Sequence, residues 1–244
     1  LHLSLRRQRH MCIRDSTISA ISNGDEWYYY RDFFIAVIDS LGKRLWKLRH
    51  DGSAVRVVHY DRVLHGGRFN HVAIDYYGNV YVTDKALGMI HKFDRHLNFI
   101  ISIGDSQFDE PRGIAIYRRF GQIFISERAG AQYYWIGTDV IRFRADSLVV
   151  DLENKRVSFK MSFLLTEYSE ISLKLICRDN GDEIPILNDF LLPPGFISRK
   201  VSFSMGEQHE FANCNYIIEL MARPTYSSKA YHSVTRKSRT LIPV

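Results

Sequence analysis

The C-terminal part of the chain alternates apolar and polar residues in four separate segments, 157–163, 171–177, 201–205 and 216–222. A period of two is typical of a β-strand that buries one face and exposes the other. Asn180-Gly181 is a hairpin-turn dipeptide, and Pro193-Pro194-Gly195 interrupts the chain before the next strand. The pattern predicts about seven strands between Leu148 and Ile242, arranged as a β-sandwich.

The preceding part of the chain repeats itself. Three short β-type runs that end in an acidic residue, Ile35–Asp39, Val80–Asp84 and Ile123–Glu127, start 45 and 43 residues apart. Glycine turns at Gly78 and Gly121 come just before the second and third runs. A period in the low forties built from short strands predicts propeller blades, small antiparallel sheets that bury their faces against each other.

The residues around these runs resemble NHL repeats. Residues 68–104 contain the G-N-x-Y-V-x-D, F-D and I-G elements of that family, and residues 107–127 contain its F-x-x-P-x-G-I-A opening from Phe108 to Ala115. The resemblance spans about Phe34 to Ile141 and implies a partial NHL-type β-propeller of about three blades. Because propellers close with four to eight blades, we expect an open arc that exposes apolar side chains at its first edge.

The alternating part resembles the Ig-like domain of flagellar hook-capping (FlgD-type) proteins, through residues 171–187, 193–203 and 215–223. This resemblance implies an extracellular or periplasmic bacterial protein, although no signal peptide is visible in the sequence. The expected architecture is all-β, with propeller blades in residues 17–145 and an Ig-like β-sandwich in residues 146–244.

Residues 1–16 have a different character. They contain four arginines, no periodicity and no apolar segment of the kind a signal peptide requires. They resemble a translated sequencing adapter, and we interpret them as a non-native leader on an N-terminally truncated propeller; a genuine basic tail is the alternative. Leaving out these four arginines and Asp15 lowers the net charge from +6 to +3. This is an ordinary solvated surface, so we expect no nucleic-acid partner, and no apolar run is long enough to predict a membrane span.

Asp39, Asp84 and Glu127 occupy equivalent places in the three repeats. A catalytic pair would be asymmetric, whereas recurrence favours a hydrogen bond that closes a turn in each blade. The sequence has no nucleophile elbow, P-loop or dinucleotide motif. We therefore predict no catalytic residues.

Six histidines surround the second repeat: His50, His59, His65, His71, His91 and His96. They form no HxH or HExxH motif, and most are expected in turns or on exposed strand faces. We predict no metal site and no cofactor. Cys177 and Cys214 have no metal-binding spacing, and whether they pair is left open.

Two aromatic runs, Trp27–Tyr30 and Tyr133-Tyr134-Trp135, could pack between blades or contact a sugar or a partner protein. Packing is favoured, and Tyr133, Tyr134 and Trp135 are the candidates for binding.

Two functions remain open. The favoured one is a non-enzymatic binding or scaffold protein of the bacterial cell envelope or exterior, in which the propeller contacts a protein or glycan and the sandwich is a spacer or attachment module. The alternative is a metal-dependent propeller lactonase or lyase whose site lies on missing blades. The sequence does not determine the oligomeric state.

Overall fold

The computed structural model describes residues 17–21, 28–30, 32–104, 107–151, 153–204 and 215–240. It divides into two compact units, Leu1–Trp135 and Ile136–Val244, and each is described by itself. The leader 1–16, Trp27 and Cys214 lie outside the described residues.

The first unit consists of three antiparallel sheets whose strands pair in chain order. The first sheet contains β1 (Thr17–Ile21), β2 (Phe34–Ile38), β3 (Arg44–Leu48) and β4 (Ala54–His59). The second contains β5 (Val72–Ile74), β6 (Val80–Asp84), β7 (Met89–Phe93) and β8 (Phe99–Ile103). The third contains β9 (Gly113–Tyr117), β10 (Gln122–Ser126) and β11 (Ala131–Trp135).

These sheets confirm the prediction of an all-β fold with three propeller-type blades. The three repeated apolar runs form β2, β6 and β10, the second strand of each sheet. Gly78 and Gly121, in the turns before β6 and β10, have φ angles of 79° and 69°, a conformation that glycine adopts without steric strain. The open arc stays a prediction, because its first edge is β1 and the side chains of β1 lie outside the described residues.

The first and second sheets share one hydrophobic core. It includes Phe34, Leu45, Phe69 and Phe93, together with Tyr60 from a short 3-10 helix that follows β4. Every residue of β6 is buried, so both faces of the second sheet are covered along this strand. This is the arrangement expected of a blade between neighbours.

Polar groups connect the second sheet to the third. The side-chain amide of Asn70 donates to the carbonyl oxygens of Pro111 and Arg112, at 3.4 and 3.3 Å. Arg118 Nε donates to the carbonyl oxygen of Ile74 at 3.1 Å. These bonds satisfy backbone carbonyls beyond the strand ladders and hold neighbouring blades together.

The second unit is a β-sandwich. One sheet contains β12 (Val140–Ala145), β13 (Val149–Asp151), β14 (Arg156–Leu165) and β17 (Gly195–Ser204), with β14 between β17 and the pair β12 and β13. The other has the order β16 (Glu183–Leu192), β15 (Ser169–Cys177), β18 (Tyr216–Pro224) and β19 (Val234–Thr240). These eight described strands compare with the seven or so that the sequence predicts.

The alternation seen in the sequence is the burial pattern of the sandwich. In β15 and β18 every second residue is buried, and these side chains share one core with the apolar residues of β14. Arg236 on β19 donates to the carbonyl oxygen of Val140 at 2.9 Å and forms an ion pair with Asp139 at 2.6 Å, which ties the two sheets together at one edge.

The structure moves the expected boundary between the units. The sequence places residues up to 145 with the blades, whereas the two units divide between Trp135 and Ile136. The reason is β12, which pairs with β14 of the sandwich from Val140↔Leu165 to Ala145↔Met161. Val140 contributes to the sandwich core, so this strand cannot be assigned to a blade.

Cys177, at the end of β15, is disulfide-bonded. The other cysteine considered for this bond, Cys214, lies outside the described residues. Among the described residues, no helix has the length and apolar character needed to span a membrane.

Candidate functional site

Tyr133, Tyr134 and Trp135 lie on β11, the outer strand of the third sheet. The register pairs Trp135 with Gln122, Tyr134 with Ile123 and Tyr133 with Phe124. Because neighbouring residues of a strand point to opposite faces, the three candidates do not form one surface. Tyr133 and Trp135 share one face and Tyr134 lies on the other.

Tyr134 lies on the opposite face of β11 and is itself 40% exposed, as much as Trp135. Its register partner Ile123 is buried, and its ring packs edge-on against buried Phe108 with centroids 5.7 Å apart. Burial raises the pKa of the Tyr134 hydroxyl, and the negative charge of Glu127 adds to this effect. We interpret Tyr134 as a packing residue, the role that its sequence context favours for the whole run.

The other face exposes Tyr117, Phe124, Tyr133 and Trp135, and Phe120 in the turn between β9 and β10 packs against Tyr117. We define these five residues as the aromatic strip. The exposed fractions are 49% for Tyr117, 46% for Phe124, 52% for Tyr133 and 40% for Trp135. Sequence reasoning missed Tyr117, Phe120 and Phe124. Tyr117 and Phe124 could have been found from the register of the two hairpins, because residues directly opposite each other lie on the same face of a sheet. This register places Phe124 beside Tyr133 and Tyr117 beside Gln122.

The strip is ordered by contacts among its own rings. Phe124 and Tyr133 are stacked, with centroids 5.8 Å apart and ring planes 25° apart. Tyr133 and Trp135 meet edge-on at 6.3 Å, and the indole N–H of Trp135 donates to the Tyr133 hydroxyl at 3.2 Å. Tyr117 and Phe120 meet edge-on at 5.4 Å. A partner therefore meets a preformed surface and loses little side-chain entropy on binding it.

The other aromatic run has a different role. Tyr28 is buried, and the guanidinium carbon of Arg118 lies over its ring, 4.4 Å from the centroid. The guanidinium carbon of Arg95 lies over the Tyr30 ring in the same way, at 3.6 Å. Tyr29 is about half exposed and packs edge-on against Tyr30. These contacts support packing between blades, the favoured interpretation of this run.

Two of the three repeated acids close turns as predicted. Asp39 Oδ1 accepts the backbone N–H of Lys43 at 2.8 Å, and Asp84 Oδ1 accepts those of Ala86 and Leu87 at 2.9 and 3.0 Å. Glu127 differs, since its carboxylate accepts the side-chain amide of Gln132 instead and its Oε1 has no hydrogen-bond partner among the described residues. The longer side chain reaches past the turn that aspartate caps.

Asp84 also anchors a buried polar network between the first and second sheets. Its Oδ2 accepts the hydroxyl of Tyr60 and lies 3.4 Å from His91 Nε2, while His91 Nδ1 lies 2.8 Å from Ser102 Oγ. Burial by itself raises the pKa of Asp84, but the bonds from His91, Tyr60 and Leu87 N–H outweigh it and lower the pKa. Burial and the Asp84 carboxylate raise the pKa of Tyr60.

The network leaves no room for a substrate at the carboxylate. Asp84, His91 and Tyr60 are all buried. A Cβ at Gly67 would collide with Asp84 Oδ2 and with the Tyr60 hydroxyl, so the backbone itself covers the site. We interpret the network as a structural tie between blades.

The histidines differ from expectation at one position. His50, His59, His65, His71 and His96 are exposed, as the sequence predicts for most of the six, but His91 on β7 is fully buried. His91 is the exception because alternation along a strand implies one covered face, whereas the second sheet is covered on both. Within the described ranges, no group of three or more His, Cys, Asp or Glu side chains could hold a metal ion.

Comparisons with known proteins give no family. No family model and no curated protein matches the chain. Among solved structures, it is similar to virginiamycin B lyase from Staphylococcus aureus at 8% identity and a TM-score of 0.29, covering 91% of this chain and 74% of that one. It is also similar to the extracellular domain of a protein named as a hybrid two-component system from B. thetaiotaomicron, at 10% identity and a TM-score of 0.31, covering 93% and 38%. At TM-scores this low the likeness supports no conclusion about this chain, whose fold is defined by its sheets.

Proposed function

We propose that this chain is a non-enzymatic binding or scaffold protein and that the aromatic strip is its contact surface for another protein. The observation that carries the proposal is the exposure of four aromatic side chains on one face of the third sheet, together with Phe120 in the adjoining turn. Exposed aromatic surface of this kind is typical of interaction sites, and tyrosine and tryptophan are the residues most enriched at their centres.

The geometry of the rings favours a protein partner over a glycan. A sugar ring binds by laying its C–H groups on the free, flat face of an aromatic ring. Phe124 and Tyr133 are stacked with an offset and lie against each other, and Trp135 is tilted by 65° from Tyr133. These rings present edges and corners, which suit the irregular surface of apolar side chains.

We also propose that the protein acts at the bacterial cell envelope or exterior, with the sandwich as spacer or attachment module. The resemblances to NHL repeats and to FlgD-type domains support this location. The disulfide at Cys177 supports it as well, because disulfides persist in oxidising compartments outside the cytoplasm.

The test is a binding measurement with fractionated bacterial envelope material, separated into protein and polysaccharide. We expect saturable binding to a protein component, lowered at least about tenfold in the double variant Phe124→Ala and Tyr133→Ala. The matched control is Tyr231→Ala, which removes an aromatic ring that is 87% exposed in the sandwich unit and leaves binding unchanged.

Two outcomes would contradict the proposal. Binding to the polysaccharide fraction alone would replace the protein partner by a glycan. A stoichiometric divalent ion in the purified protein, together with lactonase or lyase turnover, would favour the alternative function of a metal-dependent propeller enzyme.

A further inference from the structure

The third sheet has one described strand fewer than its neighbours. The first and second sheets each contain four strands, and their fourth strands, β4 and β8, pair antiparallel with β3 and β7. In the third sheet the equivalent place beside β11 is empty in the described part of the chain, since β11 pairs with β10 only. An outer strand in this position has one unpaired row of backbone groups.

The hairpin geometry shows which groups form that row. The N–H of Glu127 donates to the carbonyl oxygen of Gly130 at 2.8 Å, which makes these two residues a hydrogen-bonded pair. Antiparallel pairs alternate, so Ala131, Tyr133 and Trp135 form the pairs that do not bond to β10. Their N–H and C=O groups therefore point toward the open edge.

The edge lacks the features that normally block strand addition. Regular pairing runs through all five residues of β11, whereas the pairings of β4 and β8 contain register shifts at Lys47/Leu48 and Lys92/Phe93. β11 has the sequence AQYYW, with no charged residue and no proline. Charges, prolines and bulges are the usual means of protecting an edge.

We propose that an extended segment of the protein partner adds to β11 as the fourth strand of the third sheet. The inference rests on the proposed function and specifies how that partner binds. The segment is about five residues long, antiparallel to β11 and uncharged, and alternate apolar side chains contact Tyr133 and Trp135 of the strip. Backbone bonds supply the affinity and the side-chain pattern supplies the selectivity, as in other cases of strand addition.

The second sheet provides the template for this segment. There β8 (Phe99–Ile103) is uncharged and apolar apart from Ser102, and its Phe99 packs edge-on against Phe93 of β7 with centroids 5.8 Å apart. A synthetic peptide with the sequence NFIISIG, residues 98–104, flanked by lysines for solubility, is therefore the probe.

The first experiment titrates this peptide into the purified chain and follows the fluorescence of the chain and its amide hydrogen exchange. We expect saturable binding and slower exchange at Ala131, Tyr133 and Trp135, with little change at Gln132 and Tyr134, whose amides already bond to β10. No binding, or protection only at other strands, would overturn the proposal. Protection of the same three amides without peptide, in a chain that self-associates, would also overturn it, since a second copy would be the occupant.

The matched controls are two peptides that carry N-methyl groups on opposite alternate sets of residues. Only one set faces β11, so we expect one peptide to lose binding at least about tenfold and the other to keep it. Equal binding of the two methylated peptides would exclude backbone pairing. This comparison uses the unaltered chain and does not depend on any variant folding.

Two variants distinguish the contribution of the Tyr133 backbone N–H to binding from that of the Tyr133 ring. Tyr133→Ala removes the ring and keeps the outward N–H, whereas Tyr133→Pro removes both and leaves the bonds to β10 in place. We expect weaker binding in the alanine variant and none in the proline variant. If the envelope protein partner depends on the Tyr133 ring but binds both variants alike, the strand-addition proposal fails while the proposed function stands.

Discussion

The second and third sheets of the first unit are built from the same repeat but differ in what covers them. In β6 all five residues are buried, whereas in β10 only Ile123 and Ile125 are buried. The second sheet has four described strands and the third has three. The difference shows that a repeat pattern specifies a blade, while the role of its outer face depends on whether another element covers it.

The largest expected difference in stability is between two phenylalanine substitutions, one in each sheet. Phe93 is fully buried in the second sheet, so Phe93→Ala is expected to lower the free energy of unfolding by about 3–5 kcal/mol through lost burial and a cavity. Phe124→Ala, in the exposed strip, is expected to lower it by less than about 1 kcal/mol. Chemical denaturation measures both, and similar losses for the two would mean that the strip is covered.

A second comparison uses glycines. A Cβ at Gly67 would clash with Asp84 and with the Tyr60 hydroxyl, so we expect Gly67→Ala to lower the free energy of unfolding by about 1–3 kcal/mol. Gly130, in the turn between β10 and β11, is the matched control, because a methyl group added there would meet no described atom within 4 Å and Gly130→Ala should have little effect. A tolerated Gly67→Ala would contradict the close approach of backbone and carboxylate.

The hydroxyl of Tyr60 allows a test at alkaline pH. Among the described residues, Tyr60→Phe leaves the buried Asp84 Oδ2 with only the long contact to His91, and we expect the free energy of unfolding to fall by about 1–2 kcal/mol at neutral pH. Because the pKa of Tyr60 is raised in the folded state, its contribution is complete below about pH 10 and declines as the pH rises further.

The measurement is thermal unfolding from pH 7 to 11. We expect the wild type to lose more stability over this range than the Tyr60→Phe variant does. Tyr133→Phe, on the exposed strip, serves as the control and is expected to change stability little at pH 7. Parallel pH curves for the wild type and Tyr60→Phe would show that folding does not raise the pKa of the Tyr60 hydroxyl.

The smallest expected effect concerns acid. The pKa of Asp84 is lowered in the folded state, so its contribution is present above about pH 4 and is lost as the pH falls further. Asp84→Asn is expected to be less stable than the wild type at pH 7 and to lose less stability between pH 5 and pH 2. Asp39→Asn is the control, because Asp39 is more solvated and water screens its interactions. Denaturation at several pH values measures both variants. The prediction is wrong if Asp39→Asn alters the loss of stability between pH 5 and pH 2 more than Asp84→Asn does.

Much of the fold followed from local patterns. The alternation in 171–177 and 216–222 corresponds to β15 and β18, and the repeated runs correspond to β2, β6 and β10. The glycine turns and the capping role of Asp39 and Asp84 were also predictable, because they depend on residues within a few positions of each other. The division between the units was displaced by β12, whose partner β14 lies about twenty residues further along the chain.

The site was predictable only in part. The sequence marked Tyr133 and Trp135 as aromatic and therefore as candidates for contact. Sequence reasoning missed Phe124 and Tyr117, whose positions beside Tyr133 and Trp135 depend on the register of two hairpins. It also grouped Tyr133 and Trp135 with Tyr134, which lies on the opposite face and packs against Phe108.

The residue pattern alone determined that the chain forms short antiparallel strands, where most of them turn and which residues of a strand share a face. The tertiary structure decided which faces are covered: it buries His91 beside Asp84 and Tyr60 and leaves the aromatic strip exposed. The physical reason is that alternation is a property of one strand, whereas burial depends on surfaces contributed by distant parts of the chain.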